Sequence, residues 1–409
     1  MRRLSIPLAI AGILVLSLGT ASCVNDPACQ CASSAAASKF AYVFSGGTIT
    51  AFALNASTGN LTPVTGSPYT VSDSGNLAAA DPAGRFLYVV VPGLGIYAYA
   101  INQITGALSP VNGSPFSPAG VDSEELEQPV VDPGGNFLYV TDLDRCGDDC
   151  NGTISAFKIG TDGSLTEIAG SPFNTDYGAI GIAVHPSGQF VFSINSSNCC
   201  RTADTVSVFQ VNATSGALTA VANSPFALPG AATSNLFADF GAVHTNGRFL
   251  YVTALADNNT TNGNVYGFSI DPTSGVLTSL SGSPFAAGLN PFGIDVDSID
   301  NFLYVVNAGP VGGTRPPGID GNIMAYRIDP SAGNLTPIEG SPFGTTNDTL
   351  LLLAVDQSCQ YVYATDATSS VLGGFAINSV TGALTPVSQS PFSTHGAFSV
   401  VLTPHQSVP

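Results

Sequence analysis

Between residues 39 and 404 the chain is a succession of short apolar runs. They are rich in Val, Ile, Phe and Tyr and bounded by clusters of Gly, Pro, Asn and Ser. Runs of this length and composition predict β-strands. One stretch shows four of them: Leu77 to Ala80, Phe86 to Val91, Ile96 to Ile101 and Leu108 to Val111. "DPAGR" (Asp81 to Arg85) joins the first two, with Pro and Gly where a tight turn tolerates them.

The same order of elements recurs. A "FLYV"-like run contains Tyr42, Tyr88, Tyr139, Phe192, Tyr251, Tyr304 or Tyr363. An alternating run follows around Phe52, Tyr99, Phe157, Phe209, Phe268, Tyr326 or Phe375. Next come a Gly-x-Leu turn and a Ser-Pro-aromatic triplet, which ends at Tyr69, Phe116, Phe173, Phe226, Phe285, Phe343 and Phe392. Successive triplets lie 47 to 59 residues apart. A period near 50 marks stacked repeats. A lone four-stranded sheet cannot bury both faces, but seven arranged around an axis can.

The expected fold is therefore all-β: a seven-bladed β-propeller with four-stranded blades. The first unit starts at "SKFAYV" and lacks an inner strand, whereas the C-terminus supplies a spare one, "AFSVVLTPH". The C-terminal strand is expected to complete the first blade and close the ring. The expected organisation is a signal peptide over 1–22, a tail over 23–38, the propeller over 39–404 and a short tail over 405–409.

Composition adds the compartment. Residues 1–22 carry two Arg and an apolar run followed by small residues, the pattern of an export signal. "GTASC" resembles a bacterial lipobox, with Cys23 as the lipidated residue, and plain secretion is the alternative. The chain is expected to be exported, touching a membrane only through such an anchor. Eight Cys suit an oxidising compartment, and Cys146 and Cys150, which bracket a loop, are the expected disulfide. Charged residues are only 9% of the chain and the net charge is −18, which disfavours nucleic acid and anionic surfaces as partners. A monomer is expected. No cofactor is indicated, and no metal: no His accompanies the Cys at zinc spacing, and "DLDRCGD" lacks a full calcium ligand set.

Candidate chemistry falls on the loops that link second to third strands, where the long insertions lie. Arg145, Arg201 and Arg315 sit in such loops, whereas Arg85 and Arg248 sit in turns of the opposite face. Glu127, Asp142 and Asp144 share the loop face, and His395 precedes the last inner strand. One reading is a polar cleft at the axial mouth, in which Arg side chains grip an oxyanion and Glu127 or His395 acts as base. The other is that these are solvated loop charges. His185, His244 and His405 lie in first turns and read as structural.

Four segments, "DPAGRFLYV", "DPGGNFLYVTDL", "HPSGQFVFSIN" and "HTNGRFLYVTA", with following runs such as "ISAFKI" and "TDGSLTEI", resemble the seven-bladed lactonase family. That family includes 6-phosphogluconolactonase-like proteins and fungal muconate-lactonising enzymes. The resemblance runs over residues 39 to 404. It implies a small lactone or carbohydrate-like ligand, with Glu127, Asp142, Arg145 and Arg201 as catalytic candidates and Asp144, Arg315 and His395 as binding candidates. The Asp142-Leu143 pair matches the family's active-site strand. Glu127 stands near the place where the family has a His. The strands also resemble bacterial surface propellers without assigned catalysis, so a non-catalytic binding propeller of the cell envelope is the alternative.

Overall fold

A computed structural model describes residues 40–403, except 72–76, 121–124, 144–150, 197–202, 231–235, 257–259, 298–300, 311–319, 345–348 and 357. Every named element among the described residues is a strand, and the strands form seven antiparallel sheets. The chain is a seven-bladed β-propeller. Blade one holds Phe40–Ser45, Thr48–Leu54 and Leu61–Pro63, and its inner strand is Ser399–Thr403, paired Phe40↔Thr403 through Phe44↔Ser399. The inner strands of blades two to seven are Leu77–Ala80, Leu126–Val131, Ala179–Val184, Leu236–Val243, Pro291–Asp297 and Leu350–Val355.

The repeated sequence markers have local physical jobs. In all seven blades the Ser of the Ser-Pro-aromatic triplet turns its Oγ back to accept a third-strand backbone N–H, at 2.8 to 3.1 Å. The Ser–Pro bonds are cis. The following aromatic then pairs with the third strand, as in Ile154↔Phe173, Val265↔Phe285 and Leu372↔Phe392. Six blades thereby gain a short fifth strand, and blade two keeps a single bridge, Ile96↔Phe116. The four main strands agree with the sequence expectation. The extra pairing arises because the triplet doubles back along its own blade before it returns to the axis.

Blades are fastened by their second-strand tyrosines. Tyr42, Tyr88, Tyr139, Tyr251, Tyr304 and Tyr363 each donate to a hairpin glycine carbonyl of the next blade, at 2.6 to 3.2 Å. Blade four has Phe192 instead. There His185 Nε2 meets Gly247 O at 2.9 Å, a ring contact that fits its structural reading. The hairpin glycines have φ near +70 to +85, and a Cβ on Gly382 would lie 2.5 Å from Phe302 Cδ1. Glycine is required there twice over, by backbone conformation and by space.

Candidate active site at the axial mouth

Five inner strands, those of blades three to seven, carry a register shift near their start. Each shift is a β-bulge, which kinks the strand and re-aims side chains. The first bulge position holds Glu127, Ile180, Asp239, Phe292 and Leu351 in successive blades. Thr141, Thr253 and Thr365 pin three of these bulges. Each hydroxyl accepts an N–H within its own blade, from Gln128, Phe240 or Leu352, and donates to the next blade's carbonyl at Ile180, Phe292 or Phe398. Gly181 lets the neighbouring strand come close, since a Cβ there would lie 2.3 Å from Asp239 O.

The second bulge position, with its counterparts in the unbulged blades, is Leu77, Gln128, Gly181, Phe240, Gly293, Leu352 and Ser399. Five of these side chains border an axial cavity of about 110 Å³. Leu77, Phe240 and Leu352 bring apolar side chains to a lining that also exposes polar surface, and Gln128 Oε1 is occupied by the N–H of Ile182 at 2.9 Å.

Two carboxyls break the apolar rim above this cavity. Glu127 is half-buried, and Asp239 is 7% exposed. Burial, and then the negative charge of Glu127, pushes the Asp239 carboxyl up to about 7. The charged form loses solvation, and a like charge nearby raises its cost again. A third carboxyl lies deeper. In the ring that pairs with the second-strand aromatics, Ala79, Val130, Ala183, Ala242, Ala354 and Val401 are apolar, and Asp295 alone is charged. Desolvation pushes Asp295 up to about 6 although it accepts the N–H groups of Val296 and Val355 at 2.8 and 2.9 Å.

Of the residues singled out in the sequence, Glu127 stands at the axial mouth. Asp142 is 3% exposed at the end of its second strand, opposite Leu126. The matching residues in other blades fasten loops. Asn195 donates to Thr205 and Ser207, Asn307 to Asn322, and Asp366 accepts three backbone N–H groups. His395 is exposed, and its carbonyl takes the Ser45 hydroxyl at 3.0 Å. Asp144, Arg145, Arg201, Arg315, Cys23 and the Cys146–Cys150 pair lie outside the described residues. The Arg side chains that are described serve the scaffold. Arg85 pairs with Asp81 at 2.8 Å, Arg248 reaches Pro330 O and Ser331 O, and Arg327 reaches Val380 O.

Sequence reasoning missed Asp239. The signal was present in "NLFADFGAV", where aligning inner strands sets Asp239 level with Glu127. Periodicity alone did not find it, because the bulges break the alternation.

Comparison with known proteins agrees with this architecture. The family described as "Lactonase, 7-bladed beta-propeller" matches residues 128–233, the stretch from Gln128 through blade four. No curated protein matches the sequence. Among solved structures, a Bacteroides uniformis protein assigned as a 6-phosphogluconolactonase is 18% identical, with a TM-score of 0.65 over 89% of this chain and 99% of its own. The periplasmic gluconolactonase of Pseudomonas aeruginosa is 16% identical, with a TM-score of 0.64 over 90% and 99%. At these identities the likeness is one of fold. The chain is a seven-bladed propeller, and its stretch 128–233 is similar to the lactonase propeller family.

Proposed function

We propose that the protein is an exported lactonase that hydrolyses an uncharged sugar lactone or related lactone at the axial mouth. The observation that carries this reading is the coupled carboxyl pair, Glu127 and Asp239, on bulges pinned by threonines above the axial cavity. A base near neutrality in a preorganised site is what water attack requires. In this reading Glu127 takes a proton from water as the water oxygen bonds to the lactone carbonyl carbon. The ring C–O bond then breaks, and the alkoxide leaves with the proton that Glu127 held. Asp239 sets the basicity of Glu127. Arg145, Arg201 and Arg315 are the candidate oxyanion and carboxylate grips, with Asp144 and His395 at the rim and Asp142 behind. The hydroxy acid product is anionic, and a chain of net charge −18 favours its release.

Export rests on the signal-like 1–22 segment and accords with the periplasmic site of one structural neighbour. Cys23 is the proposed anchor. The experiment is a hydrolysis assay on glucono-δ-lactone, its 6-phosphate, γ-butyrolactone and dihydrocoumarin, with wild type, Glu127→Gln and Asp239→Asn. Turnover of a neutral lactone that falls at least a hundredfold in Glu127→Gln is expected. Rates equal to spontaneous hydrolysis, or unaffected variants, would overturn the reading. The small volume of the axial cavity favours a second reading, a propeller that binds a ligand or protein without turning it over. Saturable lactone binding without hydrolysis would select it.

A further inference from the structure

A second cavity, of about 360 Å³, lies on the face of blade seven that packs against blade six. One lining position varies widely between blades. The third-strand position occupied by Gly373 is Thr50, Tyr97, Ser155, Ser207, Tyr266 and Met324 in the other blades, as pairing with the second strands shows. Tyr266 is buried against blade four and Met324 packs into the core beside blade five. In blade seven the residue is Gly373, where the Phe375 ring leans to 3.1 Å from where a Cβ would sit, and the two residues border the cavity together.

The cavity combines two kinds of lining. Leu350, Val371, Phe375 and Pro386 are apolar, and Asp366, at its polar end, is 2% exposed. Asp366 Oδ1 accepts the N–H groups of Thr349, Thr368 and Ser369 at 3.3, 2.9 and 3.2 Å. Asp366 Oδ2 is buried with no hydrogen-bond partner. A buried carboxylate oxygen without a donor is costly, and three donors on the other oxygen do not serve it. Volume in this range suits a small ligand.

We propose that this cavity binds a small organic ammonium ion, its charged nitrogen donating to Asp366 Oδ2 and its apolar body covered by Phe375, Val371 and Leu350. A charge-assisted bond to a carboxylate is about twice as strong as a neutral one, which selects an amine over an alcohol of the same shape. The aromatic ring of Phe375 adds attraction for a cation. The net charge of −18 draws cations and repels the acids that lactone hydrolysis makes, so this is a site for a different ligand. It does not rest on the axial-mouth reading.

The test is calorimetry and ligand-observed NMR on the whole protein with 2-phenylethylammonium and, as the neutral isostere, 2-phenylethanol. The amine is expected to bind saturably and at least tenfold tighter than the alcohol. Asp366→Asn keeps an oxygen for the three N–H groups and should erase that preference. Gly373→Met, which restores the residue of blade six, should weaken both probes at least tenfold. Gly373→Ser is a milder filling if the methionine variant folds poorly. No saturable amine binding, equal affinity for the two probes, or binding indifferent to filling at 373 would overturn the proposal.

Discussion

Glu127 and Asp239 occupy the same position of two inner strands, two blades apart, with Ile180 at that position in the blade between them. The charge of Glu127 reaches Asp239 and holds its carboxyl up near 7, on top of the larger effect of burial. Each carboxyl therefore sets the proton affinity of the other.

This coupling predicts a pH profile. As pH rises through about 7, Asp239 ionises and its new charge makes Glu127 a stronger base. Lactone turnover should rise through that range in the wild type. Asp239→Asn should flatten the limb and lower the rate on its high-pH side by about tenfold, an order set by general-base effects. An unchanged limb in the variant would assign it to another group.

The same carboxyl predicts a stability effect of opposite direction. An acid whose folded-state pKa is raised stabilises the fold fully only below its unfolded value, near 4, and that contribution is lost as pH rises through the folded value. For Asp239 and Asp295 the window ends near 7 and near 6. Denaturation at pH 5 and pH 8 should show the wild type losing stability toward pH 8. Asp239→Asn should recover part of that loss, up to about 3 kcal/mol, the roughly two pKa units of the shift that lie above pH 5.

Blade fastening predicts a graded series. Tyr251→Phe removes the bond from its hydroxyl to Gly333 O, 2.7 Å long, and leaves a buried carbonyl short of a donor. The expected cost is about 1 to 2 kcal/mol. Ser283→Ala orphans the N–H of Gly267 and should cost a similar amount. Urea titrations of both variants would measure this, and a loss below about 0.3 kcal/mol would show that water replaces these groups.

Gly382→Ala is the sharper backbone test. Its φ is +75, and the added carbon would sit 2.5 Å from Phe302 Cδ1. Conformational strain and a steric clash act together, so a loss of about 2 to 4 kcal/mol is expected. A thermal midpoint within a degree of the wild type would contradict both causes.

Much of the fold was legible because its repeated residues repeat a physical task. Ser283 or Ser390 can be counted from the sequence since each must cap the same third-strand N–H, and Tyr304 since each such tyrosine must reach the next blade. Ring closure followed from a missing strand at one end and a spare at the other, and Phe40 pairs with Thr403 accordingly. The mouth was harder to read. Glu127 was found through its neighbours in a familiar segment, but Asp239 lies in a bulge, where alternation fails. The blade-seven cavity was invisible for another reason. Gly373 is an ordinary residue in isolation and becomes informative only beside Tyr266 and Met324 at the same place.

The closing strand also orients the molecule. Phe40 pairs with Thr403, at the far end of the inner strand from Ser399, which borders the axial cavity beneath the mouth. Phe40 thus lies at the floor of the ring, on the side away from Glu127, and a single closing strand ties that floor to the rim of the axial cavity.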